Sequence, residues 1–462
     1  MKRLLLQSCL FWAACGSLAA AENPVWKAAA AGTSITPTVP MYLSGFANRV
    51  VIAEGTAMDL NAKALAIEDA KGARFVMVTL DLVEVAKQTR DAVAANVKAR
   101  FNLPNESLLL NCSHTHCGPE LRFTDAEFAE LNDPARQGNC LRYNAMLVEK
   151  ITRIIGEALG KLEPVKLSYA HARCGFAMNR RLKNDKPEGE PYLNSPNPDG
   201  PVDHDVPVLA VERTDKSLLA VVFGYACHNT TMNVKQWHGD YAGHAQRFIE
   251  GAHPGTIALF MMGCGGDQNG YPRFNDLMSS RHGQSLATAV DAALQAKTRP
   301  ITGSLRTAYD TVRLDYQPTP SIEDLEKRLA IPKGTDPSYS IYLRDWDQRR
   351  LNAMKQGTLR DHYDCPVQVV RFGKELTFVA LSGETCVDYS LRLKRELAGE
   401  SAIWIAGYCN DVLAYIPSKR VLLEGGYEAK TSLVYWSNPL HPNWFAESLE
   451  ERIVGKVHEL LK

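Results

Sequence analysis

The chain has 462 residues, enough for one large α/β domain with insertions or for two domains. Its 52 basic and 52 acidic residues cancel, so charge gives no reason to expect a nucleic-acid partner or binding to an anionic membrane surface. Apolar residues make up 45% of the chain, an ordinary fraction for a globular protein.

The first residues have the pattern of a secretory signal. Lys2 and Arg3 precede an apolar stretch over 4–14, and small residues follow at 19–21. The stretch is too short to span a bilayer, and no later segment is long and apolar enough to do so. We therefore predict a signal peptide over 1–21 and an exported protein, periplasmic or secreted.

A lipoprotein anchored through Cys15 is the second interpretation. It ranks lower because Trp12 stands where a lipobox normally has Leu. Nine cysteines follow residue 21, and export permits disulfides, although an odd number leaves at least one thiol unpaired in a monomer. No Cys-x-x-Cys pair indicates a thiolate zinc site.

Apolar strand-like runs alternate with helical stretches, which predicts a layered α/β fold: a mixed β-sheet flanked by helices, in a single domain over 22–462. The composition of residues 182–201 predicts a surface loop, and that of residues 322–357 predicts a charged helical insertion. Either segment could shape substrate access or be a solvent-exposed segment without a function. Strands are predicted at 74–80, 107–111, 218–225, 256–261, 367–372, 376–381 and 402–405. Helices are predicted at 87–100, 243–250, 283–297, 389–397 and 446–461.

Two histidines directly follow the predicted strand 107–111. In a strand, residues i and i+2 point to the same face, so His114 and His116 are expected to project together before Gly118 turns the chain. Neutral imidazole is a good zinc ligand. A His-x-His pair alone is weak, and a structural role for it is as common as a metal site.

A third histidine, His228, comes just past the predicted strand 218–225, where α/β sheets collect ligands. A lone histidine in such a place is usually a satisfied loop or core residue. Asp240, further along, could cap the next helix or orient a metal-bound histidine.

A glycine-rich loop over 262–270 follows another predicted strand. Its amides could form an oxyanion hole, although an ordinary tight turn explains about half of such loops. It contains Asp267, Asn269 and Cys264; we rank Cys264 low as a nucleophile, because nothing around it predicts a low pKa. Glu384 follows a late strand, and Tyr415 and Tyr427 lie further on.

Taken together and in this order, these segments resemble the neutral (non-lysosomal) ceramidase family over roughly 35–429. The residues that carry the resemblance are His114 in Ser-His-Thr-His-Cys-Gly-Pro, His228 in Ala-Cys-His-Asn, Glu384 in Gly-Glu, Tyr427 in Gly-Tyr-Glu-Ala, and Arg180 in Asn-Arg. The resemblance implies a Zn2+ cofactor held by His114, His228, Glu384 and Tyr415. It also places His116 and Tyr427 in the site and gives Arg180 a role with the substrate.

Three departures from the family pattern bear on the chemistry. The family's nucleophilic serine corresponds to Asn269, which cannot act as an activated nucleophile. A histidine near the family's N-terminal segment corresponds to Ala57. The immunoglobulin-like C-terminal domain of the ceramidases is expected to be missing.

The resulting hypothesis is direct attack on an amide or ester by zinc-bound water. His116 or Asp267 would handle the proton, while Tyr427, Arg180 and Asn269 would stabilise the oxyanion or hold the substrate. Zinc is inferred from ligand type and resemblance, and manganese or iron could also occupy such a site.

Three functions remain open on the sequence: a ceramidase-like hydrolase of an N-acyl lipid, a hydrolase of a small non-lipid amide, ester or acylated sugar, and a non-catalytic metal-binding homologue. A long apolar tunnel would favour the first, and a polar open cleft the second. The oligomeric state is not predicted.

Overall fold

A computed structural model describes residues 26–47, 49–123, 127, 133–186, 189–336, 339–435 and 440–462. The predicted signal peptide over 1–21, with Cys15, lies outside the described residues, so export stays a prediction.

The strands, β1 to β18 in chain order, alternate with helices along much of the chain. They are Trp26–Ser34, Asn61–Asp69, Arg74–Leu80, Leu108–Cys112, Glu163–Arg173, Ala177–Lys183, Tyr192–Asn197, Asp205–Arg213, Leu218–Tyr225, Ile257–Met262, Gln268–Gly270, Arg299–Ile301, Leu305–Asp315, His362–Phe372, Leu376–Leu381, Glu384–Thr385, Ala402–Ala406 and Tyr415–Ile416.

The α-helices, α1 to α9 in chain order, include the predicted insertion as α5 and α6. They are Lys87–Phe101, Pro134–Leu159, Asp240–Ala252, Asp276–Gln295, Ile322–Leu329, Ile341–Gln356, Val387–Glu396, Lys419–Glu424 and Leu449–Leu460. The predicted strands and helices are confirmed within a few residues at most of their ends; helix α4 begins earlier, at Asp276, where Asn275 caps it through Leu277 N–H.

Two large sheets pack face to face between layers of helices. The nine-stranded sheet runs in the order β10-β9-β8-β5-β1-β2-β3-β4, with β12 paired to β5, and the four-stranded sheet in the order β13-β14-β15-β17. Both contain parallel and antiparallel pairs. The predicted layered, mixed α/β fold is therefore confirmed.

Alternation along the strands sorts the core into layers. In β3, Val76 and Val78 face helices α1 and α2, whereas Phe75 and Met77 face the four-stranded sheet. The far face of that second sheet, including Val369, packs against α7 and α9. Each sheet is apolar on both faces because both faces are covered.

The prediction of a loop over 182–201 is wrong in part. Residues Tyr192–Asn197 form β7, which pairs antiparallel with β6 in a three-stranded sheet β11-β6-β7. This strand is mostly exposed, so its polar composition reflects a surface strand rather than a loop.

The site lies where several strands end together. Strands β3 and β4, β9 and β10, and β15 and β17 are parallel pairs, so their carboxyl ends meet at the same edges. Asn111, near the end of β4, ties them together: its amide donates to Gly407 O at 2.8 Å, and its Oδ1 accepts from Met262 N–H at 2.8 Å. The loops that follow these strands therefore converge.

All nine cysteines in the described part of the chain are buried and unpaired. They behave as small core residues rather than as crosslinks. Within the same described part, none of the helices combines the length and the apolar character needed to cross a lipid bilayer.

Candidate metal centre

Three histidines and one glutamate bring four potential ligand atoms together. Nε2 of His114 lies 3.2 Å from Nε2 of His228 and 3.1 Å from Nε2 of His116. Glu384 Oε2 lies 3.1 Å and 3.2 Å from Nε2 of His114 and His228. Tetrahedral zinc with Zn–N bonds near 2.05 Å places neighbouring ligand atoms about 3.3 Å apart. The observed spacings are those of ligands around one such ion.

The backbone sets the tautomers of two of these histidines. Nδ1 of His114 donates to Val83 O at 2.6 Å, and Nδ1 of His228 donates to Gly265 O at 2.7 Å. Because carbonyl oxygens only accept, each Nδ1 carries the proton and each Nε2 presents its lone pair. Two facing lone pairs repel each other unless a cation or proton lies between them, so the arrangement fits a metal ion.

A two-stranded parallel pairing brings Glu384 beside Tyr415. Strands β16 and β18 align these two residues directly, and the Tyr415 hydroxyl lies 3.1 Å from Nε2 of His228. Tyr408, which no sequence pattern singled out, donates to Glu384 Oε2 at 3.5 Å, and its ring lies tilted against the His114 ring with the centroids 4.7 Å apart. The sequence feature that could have pointed to Tyr408 is its position just after strand β17.

The charge state of the cluster suits a divalent cation. Burial, reinforced by Arg180, lowers the pKa of His228 to about 3, and burial also lowers the pKa of His116 well below its usual range. Burial alone would raise the pKa of Glu384, but His114 and His228 together hold it well below normal. The site therefore offers neutral imidazoles on His116 and His228 and an ionised carboxylate on Glu384.

His114 and His116 converge, but not by strand alternation as predicted. Strand β4 ends at Cys112, and His114 has a left-handed backbone with φ 59°. Such a conformation is uncommon outside glycine and asparagine and persists only where surrounding contacts impose it. The two rings meet edge to face at 4.8 Å because the chain turns between them.

The guanidinium of Arg180 is fully engaged inside the protein. It donates to Glu428 at 2.8 Å, to the Tyr415 hydroxyl at 3.1 Å and to Asn269 Oδ1 at 3.4 Å. The neighbouring Arg181 also binds Glu428. Neither Arg180 nor Asn269 lines the cavity described below, so the structure places both behind Tyr415 rather than against a substrate.

Asp267 is also buried away from the cavity. Its carboxylate accepts from the Val387 backbone N–H at 2.8 Å and from Asn179 at 3.3 Å, which anchors the start of α7. Burial, with Asp388 nearby, raises the pKa of Asp267 to about 7. The structure does not bring Asp267 together with the histidines, and its contacts are those of a structural group.

The glycine-rich loop is shaped by close packing. Gly266 N–H donates to Thr385 O, and a Cβ on Gly266 would approach Glu384 O to 2.5 Å. The amides of Gly265 and Gln268 also bond within the loop, so the loop is a tight turn and not an anion cradle. Cys264 in the same loop is fully buried, and burial raises its pKa well above normal, which removes it as a nucleophile.

One cavity of about 400 Å³ opens onto the cluster. His114, His116, Glu384, Tyr415 and Tyr427 line it. The Tyr427 ring lies 5.4 Å from the Tyr415 ring, and among the described residues its hydroxyl has no hydrogen-bond partner. The structure thus brings together every predicted metal ligand with His116 and Tyr427.

A short loop covers His116, and no sequence pattern marked it. The Phe46 ring meets the His116 ring at 4.6 Å, and Arg49 donates both to Ser44 O at 2.7 Å and to His116 O. Gly45, with φ 98°, allows this loop to lie directly on the imidazole.

A second group of potential ligands, formed by His238, His244 and Asp276, is less suited to a metal. Nδ1 of His238 accepts a hydrogen bond from Asp240 N–H at 2.8 Å, so Nε2 keeps the proton in the neutral ring. Asp240 itself binds Met232 N–H and the Ser279 hydroxyl and does not contact His228. Backbone carbonyls, not Asp240, orient His114 and His228.

The layered α/β fold and the buried histidine–carboxylate cluster are typical of a metal-dependent hydrolase. The chain belongs to the neutral/alkaline non-lysosomal ceramidase family: the sequence profile of its N-terminal part, described as neutral/alkaline non-lysosomal ceramidase, N-terminal, matches residues 30–265. Among curated proteins, no sequence matches.

Two solved ceramidase structures share the fold. Neutral ceramidase from Pseudomonas aeruginosa superposes with a TM-score of 0.72 at 18% identity, over 95% of this chain and 74% of that one. A ceramidase described as complexed with C2 superposes with a TM-score of 0.69 at 18% identity, over 94% of this chain and 76% of that one.

Proposed function

We propose that the protein is an exported zinc-dependent hydrolase that cleaves the amide bond of an N-acyl compound. The observation that carries this proposal is the convergence of the His114 and His228 Nε2 atoms on Glu384, with both Nδ1 protons committed to backbone carbonyls. Membership of the ceramidase family supports amide hydrolysis.

As the family resemblance implies, the ion would be held by His114, His228, Glu384 and Tyr415. His116, whose Nε2 also lies 3.1 Å from that of His114, is then the neighbouring group and not a ligand. Bound there, zinc would lower the pKa of a coordinated water and polarise the substrate carbonyl. Orientation of these ligands comes from Val83 O and Gly265 O, and from the bond that Arg180 donates to Tyr415.

His116 is the group we assign to proton transfer. It lines the cavity, its lowered pKa keeps it neutral near pH 7, and its Nδ1 has no partner among the described residues. It can accept a proton from the attacking water and return one to the leaving amine. The free hydroxyl of Tyr427 faces the same cavity and can donate to the developing oxyanion.

Arg180 and Asn269 act in this proposal as positioning residues for Tyr415, which revises the substrate contact expected from the sequence. Asn269 carries no ionisable hydroxyl, so water is the nucleophile. This separates the mechanism from one that depends on a nucleophilic serine.

The cavity favours a small polar amide over a two-chain lipid. Ten arginine, lysine, aspartate and glutamate side chains, five basic and five acidic, line about 400 Å³ together with two histidines. Pockets for long acyl chains gain their affinity from apolar walls, at about 0.8 kcal/mol for each buried methylene group. Ceramide nevertheless belongs in the substrate test because of the family.

The test combines metal analysis with a hydrolysis panel of ceramide, simple amides, esters and acylated sugars. Purified wild-type protein is expected to hold about one zinc per chain and to cleave at least one amide. The His114→Ala variant should lose both properties, whereas His253→Ala, at a surface histidine paired with Asp291, should keep both. A wild type without zinc, together with full activity in His114→Ala, contradicts the proposal.

Export is tested separately with the full-length chain. Lys2, Arg3 and the apolar stretch that follows motivate it. Fractionation of cells should place a protein beginning near residue 22 outside the cytoplasm. Retention of an unprocessed chain in the cytoplasm would contradict it.

A further inference from the structure

The charged residues that line the cavity differ in whether they have partners. Among the basic ones, only Arg360 has no ion pair or hydrogen bond with another described residue. The other four are engaged as follows: Lys87 with Asp91, Arg122 and Arg136 with Glu120, and Arg49 with the carbonyls of Ser44 and His116.

The acidic residues are committed in the same way, with one exception. Asp411 accepts the Tyr363 hydroxyl at 2.6 Å, Glu127 accepts the Phe123 backbone N–H at 2.9 Å, and Glu384 belongs to the metal centre. Glu84 lines the cavity and has no hydrogen-bond or ion-pair partner among the described residues. Of these ten side chains, Arg360 and Glu84 are therefore the two without a hydrogen-bond or ion-pair partner in the described part of the chain.

Glu84 does not oppose an anionic ligand at neutral pH. Burial, with Glu127 nearby, raises the pKa of Glu84 to about 8, so its carboxyl is mostly protonated at pH 7. A protonated carboxyl can donate a hydrogen bond. Among the described residues that line the cavity, Arg360 is thus the one arginine or lysine whose charged group is free to bind a negative charge of a ligand directly.

The helical insertion builds the wall that carries Arg360. Arg360 lies between α6 and β14, and α6 also holds the segment 431–435: Arg349 donates to Val434 O at 2.7 Å, and the Tyr342 and Tyr435 rings meet at 5.0 Å. Ser432 and Tyr435 from that segment line the cavity. The Ser432 hydroxyl is buried and has no partner among the described residues, as expected of a group that awaits a ligand.

We propose that this enzyme acts on small amides that carry a carboxylate, such as N-acyl amino acids, with Arg360 binding the carboxylate and Glu84 and Ser432 donating to polar groups beside it. The inference rests on the proposed amide hydrolysis and names the substrate class for that site. A guanidinium binds a carboxylate through two parallel hydrogen bonds, which gives both affinity and orientation. The cavity then selects by charge rather than by acyl-chain length.

The experiment compares matched substrates on the zinc-loaded full-length mature protein. N-butyrylglycine carries the carboxylate on the amine side, N-ethylsuccinamate carries it on the acyl side, and N-butyrylethanolamine is a neutral amide of similar size. We expect kcat/KM for one of the two acids to exceed that of the neutral amide at least tenfold, mainly through KM.

Variants connect this preference to one side chain. In Arg360→Gln the acid-to-neutral ratio of kcat/KM should fall about tenfold. Arg360→Lys should keep part of the ratio, because lysine has the positive charge but lacks the two parallel N–H donors of a guanidinium. Arg281→Gln, at an exposed arginine on α4, removes the same charge elsewhere and should leave the ratio unchanged.

The outcomes separate the two proposals. If the wild type cleaves the neutral amide as well as both acids, or if Arg360→Gln leaves the ratio unchanged, the carboxylate inference is wrong while amide hydrolysis stands. If the wild type, with zinc bound, cleaves none of these amides but cleaves a short-chain ceramide, the carboxylate inference fails and the lipid function is favoured. If no amide is cleaved, both proposals fail.

Discussion

Nη1 of Arg180 donates a hydrogen bond to Oδ1 of Asn269 over 3.4 Å, and both side chains are buried behind Tyr415. The family resemblance predicts that Asn269 stands at the position of the ceramidase serine. In this structure the Asn269 side chain accepts a hydrogen bond from Arg180. The same guanidinium donates to the Tyr415 hydroxyl and so connects Asn269 to a predicted metal ligand.

Restoring serine at this position should not restore a serine mechanism. In Asn269→Ser, activity is expected to fall by roughly fivefold, because Arg180 loses one buried hydrogen bond worth about 1 kcal/mol. Intact-mass measurement during turnover should show no acyl adduct. A covalent adduct together with a burst phase would contradict water as the nucleophile.

Loss of the glutamate ligand should remove metal and activity together. Glu384→Gln keeps the size of the side chain but removes the negative charge beside two histidines, so zinc affinity should fall at least tenfold and activity by about three orders of magnitude. Zinc content after gel filtration and kcat/KM check this. The control is Glu149→Gln, which changes an exposed glutamate paired with Arg100; parallel losses in the control would refute a specific role.

Asp267 should affect stability more than catalysis. Its pKa is raised in the folded state from 3.8 to about 7, so the stabilisation by its protonated form is complete below about pH 4 and is lost as pH rises through 7. Relative to wild type, Asp267→Asn should gain free energy of unfolding between pH 5 and pH 8, by as much as ~3 kcal/mol. Urea denaturation at both pH values measures this.

The same variant tests the proton role considered for Asp267. With both oxygens bound to Val387 N–H and Asn179, we expect activity within about tenfold of wild type. If the activity of Asp267→Asn falls by more than about a hundredfold while the protein stays folded, Asp267 is the group that transfers the proton.

The loop over His116 offers a test by steric displacement. In Gly45→Ala the added Cβ would overlap the imidazole of His116, and even a 1 Å displacement of a catalytic group costs about a hundredfold in rate. Gly255→Ala is the matched control: it has the same positive-φ strain, with φ 84°, but open space around the Cβ. Equal kcat/KM in the two variants would remove His116 from the mechanism.

Strand and helix positions followed from local patterns, since apolar runs of 6 to 8 residues such as Leu218–Tyr225 and Leu376–Leu381 are long enough to signal a buried strand by themselves. Strands with a mixed polar and apolar composition were not predicted. Strand β7 is polar because it is exposed, and β13 is polar along much of its length because it is only partly buried. Burial, which decides composition, is a property of the whole fold.

By itself, the sequence determined the residue types of the candidate ligands, their order along the chain and the presence of Asn269 where the resemblance leads one to expect a serine, because these depend only on residue identity. Only the tertiary structure decided which groups meet. It joined the loops that follow six strands, aimed Nε2 of His114 and His228 by bonds to backbone carbonyls, and turned Arg180 and Asp267 away from the cavity. It also left the Arg360 side chain, which lines the cavity, without a hydrogen-bond or ion-pair partner among the described residues. Those outcomes depend on distance and burial, which no local pattern of residues encodes.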